Sequence, residues 1–153
     1  MGEEGGRHVV ARNRKARHEF EILDTLEAGI VLKGPEVKSI REGKVAFQDS
    51  FARVDGGEVW LHSFHISPYE QANRNNVDPL RTRKLLLHKQ EIRKLVGKVE
   101  EKGLTLVPLE VLFRRGNAKV LLALARGRKA HDKRDKLREQ DLDREARRAV
   151  KGS

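Results

Sequence analysis

AFQDSFARVDGGEVWLHSFHI, residues 46–66, is the stretch whose reading decides the fold. From Ala46 to Val54 the pattern alternates. Phe47, Asp49, Phe51 and Arg53 take one face, and Ala46, Ser50, Ala52 and Val54 the other. Asp55-Gly56-Gly57 then supplies the positive φ that a tight hairpin turn demands. Glu58 to Ile66 returns as a second strand carrying Trp60, Phe64 and Ile66. The stretch therefore predicts an antiparallel hairpin.

Working outward, the same kind of signal recurs. Towards the N-terminus, Phe20 and Ile22 alternate with Glu19, Glu21 and Leu23, and Glu27-Ala28-Gly29 is expected to break or bend that strand. Gly34-Pro35 punctuates the chain. A short helix is expected over Glu36 to Glu42, with Val37 and Ile40 three apart and Gly43 after its end. Towards the C-terminus, Pro68 to Pro79 is an unpatterned loop rich in Asn and Asp. Ile92, Leu95, Val96 and Val99 then mark a helix over Glu91 to Lys102, closed by Gly103. Leu104 to Phe113 and Ala118 to Ala125 read as strands joined by a turn at Arg114-Arg115-Gly116-Asn117, with an edge or bulge at Pro108. Helical crossovers between strands are missing. The expected class is mainly β: a closed antiparallel barrel of the oligonucleotide-binding type, flanked by short helices.

Residues 1–12 are glycine-rich and are expected to lack structure, 13–127 to form the barrel domain, and 128–153 to form a basic tail. Leu137, Leu142 and Val150 are the few large apolar residues of that tail, so it is expected to be disordered alone and helical only on a partner.

Charge narrows the function. The 153 residues carry 33 Lys and Arg against 23 Asp and Glu, a formal net charge of +10. A polyanion is the simplest partner, because each neutralised phosphate releases counterions. No apolar run approaches the roughly 20 residues of a membrane span. There is no cysteine, which excludes disulfides and thiolate sites, and no signal-peptide core opens the chain. The expected location is the cytoplasm, with no membrane partner.

Catalytic readings are weak. Asp78 followed by Glu100-Glu101-Lys102 resembles a metal-dependent nuclease pattern, but the pattern is short and the solvated end of a helix explains it. His62 and His65 fall on opposite faces of a strand and do not chelate one metal. No catalytic residue, metal or cofactor is expected. The basic clusters read more clearly. Asn13 to His18 supplies Arg14, Lys15 and Arg17. Residues 81–84 supply Arg81, Arg83 and Lys84. Arg126 to Arg134 forms the third. Tyr69, opening the long loop, and His131 are candidates to stack on unpaired bases.

Five segments, taken together, identify a family. They are Asn13 to Phe20 (NRKARHEF), Glu27-Ala28-Gly29, Glu36 to Lys44 (EVKSIREGK), Asp78 to Leu87 (DPLRTRKLLL) and Gly127 to Arg134 (GRKAHDKR). In this order they resemble the small protein B family, the SsrA-binding partners of transfer-messenger RNA in bacterial trans-translation. The resemblance implies a non-enzymatic protein that binds the tRNA-like domain of that RNA. It implies promotion of alanine charging by alanyl-tRNA synthetase and of delivery by elongation factor Tu. It also implies a tail in the empty messenger channel of a stalled ribosome, at the small-subunit decoding centre. RNA-contacting positions carry over onto Asn13, Glu27, Leu86, Arg126 and Arg128. Decoding-centre contacts carry over onto Gly127, Lys129, His131, Asp132, Lys133 and Arg134. Phe20 stands where the family often has tyrosine, and Ala72 where it often has glycine. A general single-strand RNA-binding or ribosome-associated barrel is the alternative. Glu27 would accept hydrogen bonds from a base edge or a 2′-hydroxyl, and Arg81 would neutralise phosphate.

Overall fold

Each strand of the predicted hairpin finds its partner through the turn foreseen for it. The computed structural model describes residues 6–128, without the side chains of residues 73–75, 101 and 102. In chain order the elements are β1 (Arg7–Arg12), α1 (Ala16–Glu19), β2 (Phe20–Ile30), α2 (Gly34–Arg41), β3 (Val45–Ala46), β4 (Phe51–Asp55), β5 (Glu58–His62) and β6 (His65–Ile66). A 3-10 turn (Glu70–Asn75), β7 (Arg83–Leu86), α3 (Lys89–Lys102), β8 (Thr105–Arg114) and β9 (Asn117–Gly127) follow. All pairings are antiparallel. β8 meets β4, β4 meets β5, then β7, β2 and β9 follow, and β9 pairs with β8 again. The architecture is thus a mainly β ring with short helices. β1 adds to the outer edge of β8, and β3 with β6 forms a separate two-stranded ladder.

Turn chemistry places the hairpins. Gly56 (φ 61°) and Gly57 (φ 76°) both lie in the left-handed region, the signature of a two-residue turn whose twist matches its strands. Arg115 (φ 51°) and Gly116 (φ 83°) repeat this between β8 and β9. The ring interior is filled by Ala28, Ile30, Val59, Leu61, Leu85, Leu106, Val111, Val120, Leu122 and Leu124, with Ile40 of α2 and Leu95 of α3 packed onto the same core. A second apolar cluster lies elsewhere: Ala16 of α1 packs with Val107, Leu109, Ala123 and Ala125. The adjacent residues Leu122 to Ala125 thus alternate between two cores, which is why β9 is apolar on both faces.

Several expectations need correction. Residues 7–12, expected to be unstructured, form β1, because the long β8 offers them an open edge to pair with. The strand expected over Ala46 to Val54 is interrupted. Ser50 turns back to donate to the Phe47 carbonyl through both its N–H (2.9 Å) and its hydroxyl (2.6 Å), Asp49 takes φ 61°, and β4 starts only at Phe51. Its returning partner breaks at Ser63 (φ 58°), so His62 and His65 belong to different strands. β2 runs straight through Glu27-Ala28-Gly29, and its register shift falls between Ile22 and Asp24 instead. The irregularity expected at Pro108 is present as a register shift before Glu110. α3 ends, as expected, on Gly103 at φ 60°.

Gly57→Ala places a Cβ at φ 76°, where L-residues are strained. The expected loss is about 1 kcal/mol in urea unfolding, with the m-value unchanged.

Candidate nucleic-acid interface

The residues singled out by charge and resemblance divide into two exposed surfaces and one buried cluster. The first surface surrounds α1. Asn13 anchors it: its N–H donates to the Leu109 carbonyl (2.7 Å), its side-chain amide donates to the Pro108 carbonyl (2.9 Å), and its Oδ1 accepts from the Ala16 N–H (3.3 Å). Asn13 therefore holds the helix in place and stays half-buried at its start. Its neighbours Arg14, Lys15, Arg17 and His18 are exposed. Arg14 and Lys15 line an open cleft of about 730 Å³ with Phe20, Phe47 and Phe51. The C-terminal end of β9 lies against the same helix. Phe20 pairs with Gly127, and the Arg128 N–H donates to the Glu19 carbonyl at 2.9 Å. Arg126 is exposed, 3.7 Å from Glu21.

The second surface lies at the other end of β2, on the outer face of β7, β2 and β9. Leu86, Gly29 and Lys119 stand opposite one another across the three strands. A Cβ at Gly29 would come within 3.2 Å of the Leu86 side chain, so glycine lets Leu86 lie flat over β2. Leu86 nevertheless stays 52% exposed, and Val31 nearby 44%. Two residues before Gly29, Glu27 reaches across β9 to Arg114. Arg114 donates from Nε to one carboxylate oxygen (2.7 Å) and from a terminal nitrogen to the other (3.0 Å). The Arg114 hydrogen bond, aided by the charges of Lys119 and Arg7, holds the Glu27 carboxyl below the usual carboxylate range. From Phe20 to Glu27 the strand covers about 23 Å at about 3.3 Å per residue, so the two surfaces are separate.

The third group overturns part of the sequence reading. Arg83, assigned there to RNA, is fully buried. It donates to Glu36 (2.6 Å), to the Phe64 carbonyl (2.6 Å) and to the Pro79 carbonyl (3.1 Å). No phosphate reaches it. Arg81 donates to the other oxygen of Glu36 (2.5 Å) and leans on the Val31 carbonyl (3.4 Å), so it too is built into the fold. Burial alone would push the Glu36 carboxyl up. Hydrogen bonds from Arg81, the Lys33 N–H and Arg83 outweigh it, and the carboxyl ends below its ordinary value. Lys84 of the same basic cluster is half-exposed and pairs with Glu58 at 2.7 Å.

The long loop is more ordered than its composition implied. Tyr69 and Asn76 exchange two hydrogen bonds of 2.8 Å, and Lys38 lies 5.4 Å from the Tyr69 ring centre. Asp78, one half of the nuclease-like pattern, caps a turn by accepting from the Leu80 N–H. Among the described residues no His, Asp and Glu cluster is arranged to hold a metal ion, and no helix is long and apolar enough to cross a membrane. Arg114, Lys119 and Glu110 escaped the sequence reading. Arg114 had been read only as a turn residue. Glu110 is clamped by Arg7 and Arg12 on the same outer face. Lys129, His131, Asp132, Lys133 and Arg134, with the helix expected in the tail, lie outside the described residues.

The family model for SmpB protein matches residues 10–152. The chain belongs to the SmpB protein family. Among SmpB-like relatives, the SsrA-binding protein of Desulforudis audaxviator is 59% identical over 94% of each chain. That of Thermosynechococcus vestitus is 60% identical over 94% of this chain and 95% of its own. That of Synechococcus elongatus is 57% identical over 99% of both. A solved chain described as "tmRNA-SmpB: a journey to the center of the bacterial ribosome" superposes with a TM-score of 0.67 at 64% identity, covering 78% of this chain and 85% of that one.

Removing Glu36 strands the Arg83 charge in the interior, so Glu36→Ala is expected to cost about 3–5 kcal/mol of stability. Since the folded carboxyl titrates below its ordinary value near 4.5, the unfolded chain binds more protons in that window. This stabilisation is complete above pH about 5 and is lost as pH falls through the folded value. Urea midpoints measured across this range in the parent and in Glu36→Gln should show a shallower acid limb in the variant.

Proposed function

We propose that this SmpB-family chain is an RNA-binding factor of trans-translation, which partners transfer-messenger RNA and accompanies it to stalled ribosomes. The observation that carries the reading is the match of residues 10–152 to the SmpB protein family, with relatives described as SsrA-binding proteins across nearly their whole length. The ribosome-associated tmRNA-SmpB neighbour supports the same setting. The ring of strands is read as a closed barrel of the oligonucleotide-binding type, and the protein as a binding factor without catalysis, acting in the cytoplasm.

The two surfaces suit two tasks. A folded tRNA-like domain offers phosphates, 2′-hydroxyls and unstacked bases, since the deep groove of an RNA helix is closed to side chains. The surface of Glu27, Gly29 and Leu86 supplies a clamped acceptor beside a small apolar platform, which suits hydrogen-bond donors and a base face. The surface of Arg14, Lys15 and Arg17 supplies cations beside the point where residues 129–153 depart, which suits a phosphate backbone. In this reading the tail, through Lys129, His131, Asp132, Lys133 and Arg134, probes the decoding centre and the empty messenger channel. Alanyl-tRNA synthetase and elongation factor Tu are then met indirectly, through the RNA.

Gel-shift titration at physiological salt should rank transfer-messenger RNA well above bulk tRNA and single-stranded RNA. Equal affinity for all three would favour a general RNA-binding barrel. Replacing Asp132, Lys133 and Arg134 together by alanine should leave this RNA binding nearly intact while abolishing tagging of stalled chains in a reconstituted translation system.

A further inference from the structure

Glu27 presents a physical difficulty. A carboxylate on a surface that meets RNA repels phosphate, yet this one is ionised and one-quarter exposed. The geometry around it resolves the difficulty. Arg114 lies not on the neighbouring strand but on β8, across β9, and its guanidinium engages both carboxylate oxygens side-on at 2.7 and 3.0 Å. A planar fork of this kind fixes the plane and the rotation of the carboxylate, which a single-point cation does not. It also cancels the local negative charge. Each carboxylate oxygen still keeps acceptor capacity, because it has two lone pairs and Arg114 uses one.

The groups facing the pair are consistent with a built acceptor site. Arg7 pairs in register with Arg114 but is itself turned onto Glu110, which Arg12 also holds at 3.2 Å. Lys119 lies on β9 between the partners, opposite Gly29, and adds positive charge. Leu86 and Gly29 provide the flat apolar margin. The arrangement resembles an active-site carboxylate oriented by arginine more than a scattered surface ion pair.

We infer that Arg114 is the positioning residue for Glu27, holding its carboxylate as a fixed, charge-compensated acceptor for a hydrogen-bond donor of RNA. This rests on the proposed RNA role of the Glu27 surface. The donor is either a ribose 2′-hydroxyl or an exocyclic base amine. An ionised carboxylate donates nothing, so carbonyl oxygens and unprotonated ring nitrogens are turned away.

The test uses the full chain and the tRNA-like domain of transfer-messenger RNA. Glu27→Gln and Arg114→Lys should each weaken binding about tenfold, the scale of a hydrogen bond to a charged group. The double variant should be no weaker than the weaker single. Arg114→Lys keeps the charge, so the slope of affinity against salt should be unchanged. In the free protein, the NMR titration midpoint of the Glu27 carboxyl should rise in Arg114→Lys. RNA probes lacking single 2′-hydroxyls, or with inosine in place of guanosine, identify the donor: only one substitution should lose its effect in Glu27→Gln. Three results overturn the inference. One is additive losses, about a hundredfold in the double variant. The second is an Arg114→Lys that binds as the parent does while Glu27→Gln is weak, which leaves the contact standing and removes the positioning. The third is a Glu27→Gln that binds as the parent does, which removes the contact itself and the positioning role with it.

Discussion

The Glu36 carboxylate, sandwiched between Arg81 and Arg83, is the interaction on which the rest of the molecule depends. It joins the first turn of α2 to the start of β7, and through Arg83 it also reaches the Phe64 and Pro79 carbonyls. A buried ion pair is poor as a source of net stability, because desolvation opposes it. Its value here is positional. Four chain segments meet at one guanidinium whose donors have fixed directions, so a slipped register would leave a charge unpaired in the interior. The surface of Glu27, Gly29 and Leu86 inherits this order, since β7 carries Leu86 only three residues beyond Arg83.

Local chemistry in the chain announced the elements that need no distant partner. Gly56-Gly57 named its turn because two consecutive left-handed residues leave few alternatives, and α3 declared itself through apolar spacing and Gly103. What stayed hidden depended on partners far along the chain. Arg83 looked like one cation among three, and only Glu36, 47 positions away, makes it a core residue. β1 carries little apolar pattern of its own and exists because β8 accepts it, with Arg7 meeting Glu110 across 103 positions. Arg114 read as a turn residue, and Glu27, 87 positions distant, gives it its role.

The alternation of β8 and β9 between two cores explains a further ambiguity. Apolar runs such as Leu121 to Ala125 do not reveal which face is inside when both are covered. α1, only four residues long, is what covers the second face, with Ala16 as its buried contact. A helix this short has no stability of its own and is held by Asn13 and by the strands beneath it. The basic residues of α1 are thereby mounted on rigid sheet rather than on a loose arm.

β2 joins the two surfaces as one strand of eleven residues, paired with β9 on both sides of its register shift between Ile22 and Asp24. Such a strand, paired along its length, does not stretch easily, so the protein behaves as a fixed gauge between its two exposed surfaces. Its period of two constrains how that gauge changes over time: adding one residue would turn the Glu27 row inward, whereas adding two would lengthen the span by about 6.6 Å with every face preserved. The spacing between the surfaces is thus quantised by the pleat, and partners that fit both ends must match one of its permitted steps.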